Sequence, residues 1–159
     1  AAGPGSVGYP SLADDDWLWG GKVDDIYTSI RYGIRSDHDD ARVSDMPAFG
    51  ADELLNAQQV ADVTAHVMSL SGGSAANAAG ATVFEDECAA CHGEDGTGNR
   101  ELGAPNLADA IWLNGSGVDA VNAQVKNPKH GVMPAWVDRL DDVSVKQVSV
   151  YVHSLGGGQ

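Results

Sequence analysis

Cysteine is nearly absent: the 159-residue chain has two, Cys88 and Cys91, too few for a disulfide framework. Cations are scarce as well, with 9 Lys and Arg against 23 Asp and Glu and a formal net charge of -14. That balance argues against nucleic acid as a partner and suits a basic protein surface. Long apolar runs are missing, and no stretch approaches the roughly 18–20 residues of a spanning helix. Aromatic residues make up only 6%, yet Trp supplies 4 of them. Glycine, in contrast, is plentiful at 20, which makes the chain loop-rich for its size. Small loop-rich domains commonly need a disulfide, a metal or a cofactor to complete a core. The 43% hydrophobic content is too high for a disordered acidic tail.

The chain repeats itself. Pro10-Ser11-Leu12-Ala13 through Trp17-Leu18-Trp19-Gly20 matches Pro105-Asn106-Leu107-Ala108 through Ile111-Trp112-Leu113-Asn114-Gly115, and Val23-Asp24 matches Val118-Asp119 in the same register. Met46-Pro47-Ala48-Phe49 then matches Met133-Pro134-Ala135-Trp136, after a polar insertion in the first copy, Ser36 to Arg42. Each copy closes alike, Val67-Met68-Ser69-Leu70 against Val152-His153-Ser154-Leu155. Two related units therefore stand in tandem, joined by the Gly/Ser/Ala-rich stretch Ser71 to Gly80.

Periodicity reads as all-α. A helix from Leu140 to Leu155 places Val148, Tyr151, Val152 and Leu155 on one face, with Asp141 as N-cap and Gly156 to Gly158 as stop. Its counterpart aligns Val60, Val63, Val67 and Leu70, and Asn56 with Gln59 resembles a capping box. A third helix runs from about Ala76 into the cysteines. Weaker ones cover Asp24–Tyr32 and Asp119–Lys126. No period-2 strand is visible, and the long loops between short helices call for something else to organise them.

Cys88-Ala89-Ala90-Cys91-His92 has the spacing of a c-type haem attachment site. Two thiols three residues apart can each form a thioether to a haem vinyl group, and the following His supplies the proximal nitrogen. A thioredoxin-like pair lacks its strand–helix–strand context. A zinc site lacks further cysteines, and a disulfide across so short a loop leaves His92 unexplained. Met133, in Gly131-Val132-Met133-Pro134-Ala135-Trp136, is the candidate second axial ligand, with His130 and His153 as rivals. Met68 reads as packing. Pro105 could offer its carbonyl to the His92 ring, Trp112 and Trp136 could line the haem edge, and Arg100 could pair with a propionate.

Gly80-x-x-x-Phe84 before this motif, then Gly103 to Leu107, a Met-Pro loop and a closing helix with Tyr151, resemble a class I cytochrome c. Cys91 to Leu107, Ile111-Trp112-Leu113 and His130 to Trp136 resemble the second haem domain of the dihaem subunit of cbb3-type cytochrome c oxidase. Asp16 to Gly21 is similar to its first haem domain. The resemblance implies two tandem cytochrome domains, the first N-terminally truncated: residues 1–72, a linker at 73–80, and 81–159. The family carries a Cys-x-x-Cys-His in each domain, whereas the first copy here shows Met46 but neither cysteines nor proximal His. Truncation accounts for that better than a haemless spacer.

The same resemblance implies function. Electrons would pass from a donor cytochrome c, through haem c, to the monohaem and catalytic subunits of the oxidase, with no bond-making chemistry on this chain. A second haem c would belong to the first domain, with Met46 as its axial ligand and an upstream Cys-x-x-Cys-His. A missing N-terminal helix would anchor the subunit, on the periplasmic side of the bacterial inner membrane. A dihaem subunit of another periplasmic redox complex, such as a dehydrogenase, shares these motifs. Acidic runs at Asp14–Asp16 and Asp37–Asp40 would steer a basic donor.

Overall fold

The computed structural model describes residues 8–73, 75–109 and 111–156. Among them stand six helices: α1 (Val23–Tyr32), α2 (Ala57–Leu70), α3 (Ala78–Glu87), α4 (Ala89–His92), α5 (Val118–Lys126) and α6 (Asp142–Leu155). Among the described residues, extended pairing is limited to isolated bridges such as Ile34 with Met133 and Asn99 with Ala104. The all-α reading holds. Among the described residues, no helix is long and apolar enough to cross a membrane.

Local sequence explains the helix ends. The Asn56 side chain accepts from the backbone N–H of Gln58 and Gln59, while the Gln59 side chain accepts from the Asn56 N–H. This reciprocal capping box starts α2, with Asn replacing the usual hydroxyl. Asp141 caps α6 by accepting from Ser144 N–H at 2.7 Å, and Asn77 caps α3 through Gly80 N–H at 2.8 Å. α1 and α5 each begin one residue before their predicted starts, and α3 begins two residues later than predicted. Of the expected α6 stop, Gly157 and Gly158 lie outside the described residues, as do Ser74 of the linker and Ala110 of the repeat.

The chain forms two compact units that interleave the repeats instead of following them in order. The first contains residues 1–44, 100–103 and 130–159; the second contains 45–99 and 104–129. The tandem segments 1–72 and 81–159 thus exchange their C-terminal parts. The physical reason is equivalence, because corresponding segments of the two copies bury corresponding residues.

In the first unit α1 packs on α6. Ile26 and Ile30 meet Val145 and Val152, with Trp17, Tyr27, Met133, Trp136 and Leu140 around them. The Arg31 carbonyl accepts from Trp136 and Val137 N–H, both at 3.0 Å. Met133 is tied by reciprocal backbone bonds to Ile34, both at 2.9 Å. Gly33, at φ 79°, allows this approach, since a Cβ there would stand 2.3 Å from the Met133 carbonyl. On the solvent side Asp142 accepts from Arg31 at 2.8 Å and from Tyr27 and Lys146.

In the second unit α2 packs on both α3 and α5. Val121 and Val125 of α5 occupy the repeat positions of Ile26 and Ile30, and the Lys126 carbonyl, in the place of Arg31, accepts from Ala51 N–H at 2.9 Å. Val60, Val63 and Val67 join Phe49, Leu55, Phe84 and Cys88 in its core. Gly80 is the crossing point of α3 with α2. A Cβ there would lie 2.0 Å from the Asp62 carbonyl oxygen.

One predicted face needs correction. On α6 the buried residues are Val145, Ser149 and Val152, while Val148 is 39% and Tyr151 61% exposed. α2 has neighbours on two sides, whereas the packing partner of α6 is α1. The part of the predicted stripe turned away from α1 therefore faces solvent.

Candidate haem-binding site

The Cys-x-x-Cys-His motif forms a helical turn of its own. α3 ends where the Phe84 carbonyl accepts from Cys88 N–H at 2.8 Å. The Cys88 carbonyl in turn accepts from the N–H groups of Cys91 at 3.1 Å and His92 at 3.0 Å. Positions i, i+3 and i+4 of one turn lie on one side of a helix, so both thiols and the imidazole leave the backbone together. Cys88 and His92 are each 8% exposed, and Cys91 is exposed.

The loop after His92 folds back under it. Gly98 N–H donates to the His92 carbonyl at 2.7 Å, Leu107 N–H to Gly96 at 2.7 Å, and Asn99 and Ala104 exchange two bonds of 3.0 Å. Asp95 Oδ1 ties the turn by accepting from the Thr97 N–H and hydroxyl. This course returns Pro105 to the ring of His92, whose Nδ1 lies 3.0 Å from the Pro105 carbonyl oxygen. A carbonyl only accepts, so Nδ1 carries the hydrogen and the lone pair is on Nε2.

Burial pushes the His92 pKa below its ordinary value and outweighs the opposing pull of the Pro105 carbonyl. Neutral imidazole is the form that binds iron. Burial, with Glu87 and Cys91 adding, pushes the Cys88 thiol up to about 11, so it is held as the thiol at neutral pH. Two thiols and an oriented imidazole nitrogen on one turn are the donor set that haem c requires, and the residues present fit it.

The other predicted residues divide between the units. Trp112, Leu107 and Met46 are partly buried against the same core as Cys88, and Met68 packs there too. Met133 and Trp136 pack in the core of the first unit, where Arg139 sits over the Trp136 ring at 4.5 Å. Arg100, His130 and His153 also belong to the first unit. The second unit therefore contains Cys88, Cys91, His92, Pro105, Trp112 and Met46. Met133 belongs to the first unit.

Sequence reasoning missed His66. Its ring lies 5.1 Å from that of Phe84, and burial lowers its pKa. The available signal was its place between Val63 and Val67 on α2.

Comparison with known proteins supplies the lineage. Residues 75–152 match the family described as cytochrome c oxidase, cbb3-type, subunit III. A cbb3-type cytochrome c oxidase subunit CcoP of Cereibacter sphaeroides is 54% identical over 98% of this chain and 55% of its own length. A subunit FixP of Sinorhizobium medicae is 54% identical over 98% and 54%, respectively. A subunit CcoP of Azospirillum brasilense is 46% identical over 100% and 57%. The chain thus spans about half the length of the curated relatives it matches.

Proposed function

We propose that this chain, whose residues 75–152 match the family of subunit III of cbb3-type cytochrome c oxidase, is an electron-transfer segment of such an oxidase. It takes electrons from a donor cytochrome c and delivers them towards the subunits that reduce oxygen. The single observation that carries this reading is the turn that presents Cys88, Cys91 and an oriented His92 together.

Haem c, when bound, supplies an iron that cycles between ferrous and ferric states. Cys88 and Cys91 would hold it covalently. His92 would ligate through Nε2, with Nδ1–H fixed by Pro105, a contact that makes the ligand more basic. Met133, by its loop motif, would supply a second protein ligand to the iron, and a thioether ligand would raise the reduction potential. Trp112 would exclude water at the haem edge and Arg100 would face a propionate. The chain itself makes and breaks no substrate bond; its residues position and tune.

The proposal extends to the protein of which relatives show about twice this length. There a second haem c, with Met46 as a ligand, would sit on an additional Cys-x-x-Cys-His, and an apolar helix would anchor the subunit on the periplasmic side of the inner membrane. Residues 1–72 carry 12 acidic and 4 basic side chains, which would attract a basic donor and make its association rate fall with salt.

Purification of the tagged, full-length subunit from its own membranes tests this. Co-purification of a haem-copper oxidase that consumes oxygen with reduced cytochrome c is the expected result. Recovery with a dehydrogenase and no oxidase would overturn it.

A further inference from the structure

The polar insertion of the first copy, Ser36 to Arg42, is a closed loop in the structure. Arg35 N–H donates to the Arg42 carbonyl at 2.8 Å, and Arg42 N–H to the Gly33 carbonyl at 3.1 Å. This closure sets Arg35 at φ 50°, in the left-handed region that a residue with a Cβ seldom adopts. Backbone of that kind persists where its surroundings hold it, and it gathers at functional positions.

The Arg35 side chain spans two loops of the first unit. Nη1 donates to the Ser44 carbonyl at 2.7 Å and Nε to the Gly131 carbonyl at 2.9 Å. Ser44 and Gly131 are equivalent positions of the two copies, each two residues before a Met-Pro pair. Residues 130–132 are exposed, so burial does not fix the approach to Met133. Hydrogen bonds do. Ile34 and Met133 exchange two backbone bonds, and Arg35 takes hold two residues earlier. A planar guanidinium, with its donors in a fixed fork, reaches both carbonyls at set angles, where an ammonium offers a single point.

We propose that Arg35 is a positioning residue for Met133, acting through the Gly131 carbonyl to hold the loop that presents the thioether. The proposal rests on the reading of Met133 as an iron ligand. A ligand ordered in advance loses less freedom on binding, so a thioether held in this way is displaced less readily. The insertion then has a purpose: it closes the left-handed turn from which the guanidinium reaches out.

The test uses the full chain with Arg35→Gly, which suits the left-handed backbone and removes the clamp, beside Arg35→Lys, which keeps the charge. In the haem-free chain, amide hydrogen exchange at Met133 should quicken about tenfold in both, as the loss of a hydrogen bond to a charged group allows. Exchange at Ser149, in the core of α6, should stay unchanged. In the haem-loaded ferric chain, added imidazole should replace the methionine faster in both variants. Unchanged exchange at Met133 would overturn the proposal. Equal quickening at Ser149 would do so as well, since it marks a general loss of stability, and so would quicker exchange with unaltered replacement by imidazole. Met133→Ala, followed through the methionine-to-iron charge-transfer band, judges the ligand reading by itself. The exchange results on the haem-free chain judge the clamp, so the two failures are distinguishable.

Discussion

Nδ1 of His92 donates to the carbonyl oxygen of Pro105 at 3.0 Å across 13 residues of chain. This bond selects the less common tautomer, with the hydrogen on Nδ1, before any metal arrives. Nitrogen NMR of the haem-free chain should therefore show a protonated Nδ1 and an unprotonated Nε2 on His92. The reverse assignment would remove the structural basis for its orientation.

The two cysteines should differ in reactivity before haem attachment. Cys91 is exposed and Cys88 is buried, with its thiol raised to about 11, so little nucleophilic thiolate forms there. Iodoacetamide at pH 8 should label Cys91 first, at least tenfold faster, as peptide mass spectrometry would reveal. Equal rates would contradict the placement of Cys88 in the core.

Phe84 is 2% exposed, and Phe84→Ala should cost about 3–5 kcal/mol of unfolding free energy. Gly80→Ala should cost about 1–3 kcal/mol by overpacking, because its Cβ would meet the rigid Asp62 carbonyl. Denaturant titration of the haem-free chain measures both. A neutral Gly80→Ala would mean that α3 crosses its partner elsewhere.

Acid should loosen the contact between α2 and α3. Burial lowers the His66 pKa from its ordinary 6.5, so the unfolded chain takes up a proton that the folded one resists. The associated stability is present above about pH 6.5 and is lost as pH falls through that value towards the folded pKa. His66→Gln should flatten the pH dependence of stability between pH 7.5 and 5.5, a window read by the same titrations. An unchanged slope would assign the acid sensitivity to other groups.

Much of this was legible in the sequence. Asn56, Gln59 and Asp141 announced two helix starts through their own side chains, and the Cys88-x-x-Cys91-His92 spacing carries its chemistry locally. Pro105 was readable as a candidate acceptor, while the loop hydrogen bonds that return it to His92 are visible only in the structure. The partner of α3 was not. α2 and α6 present near-identical buried registers, so periodicity identifies a face without saying which helix it meets. Val148 and Tyr151 show the consequence: a stripe of core character that faces solvent. For the same reason Met46, rather than Met133, shares a unit with His92.

The haem assignment is tested most directly by the intact mass of the chain produced in a periplasm equipped for covalent haem attachment, read beside its reduced-minus-oxidised spectrum. The predicted result is the mass of one added haem with a low-spin c-type spectrum, both lost together when Cys88 and Cys91 are changed to Ser. An unmodified mass, or a haem adduct that survives the loss of both cysteines, would contradict it.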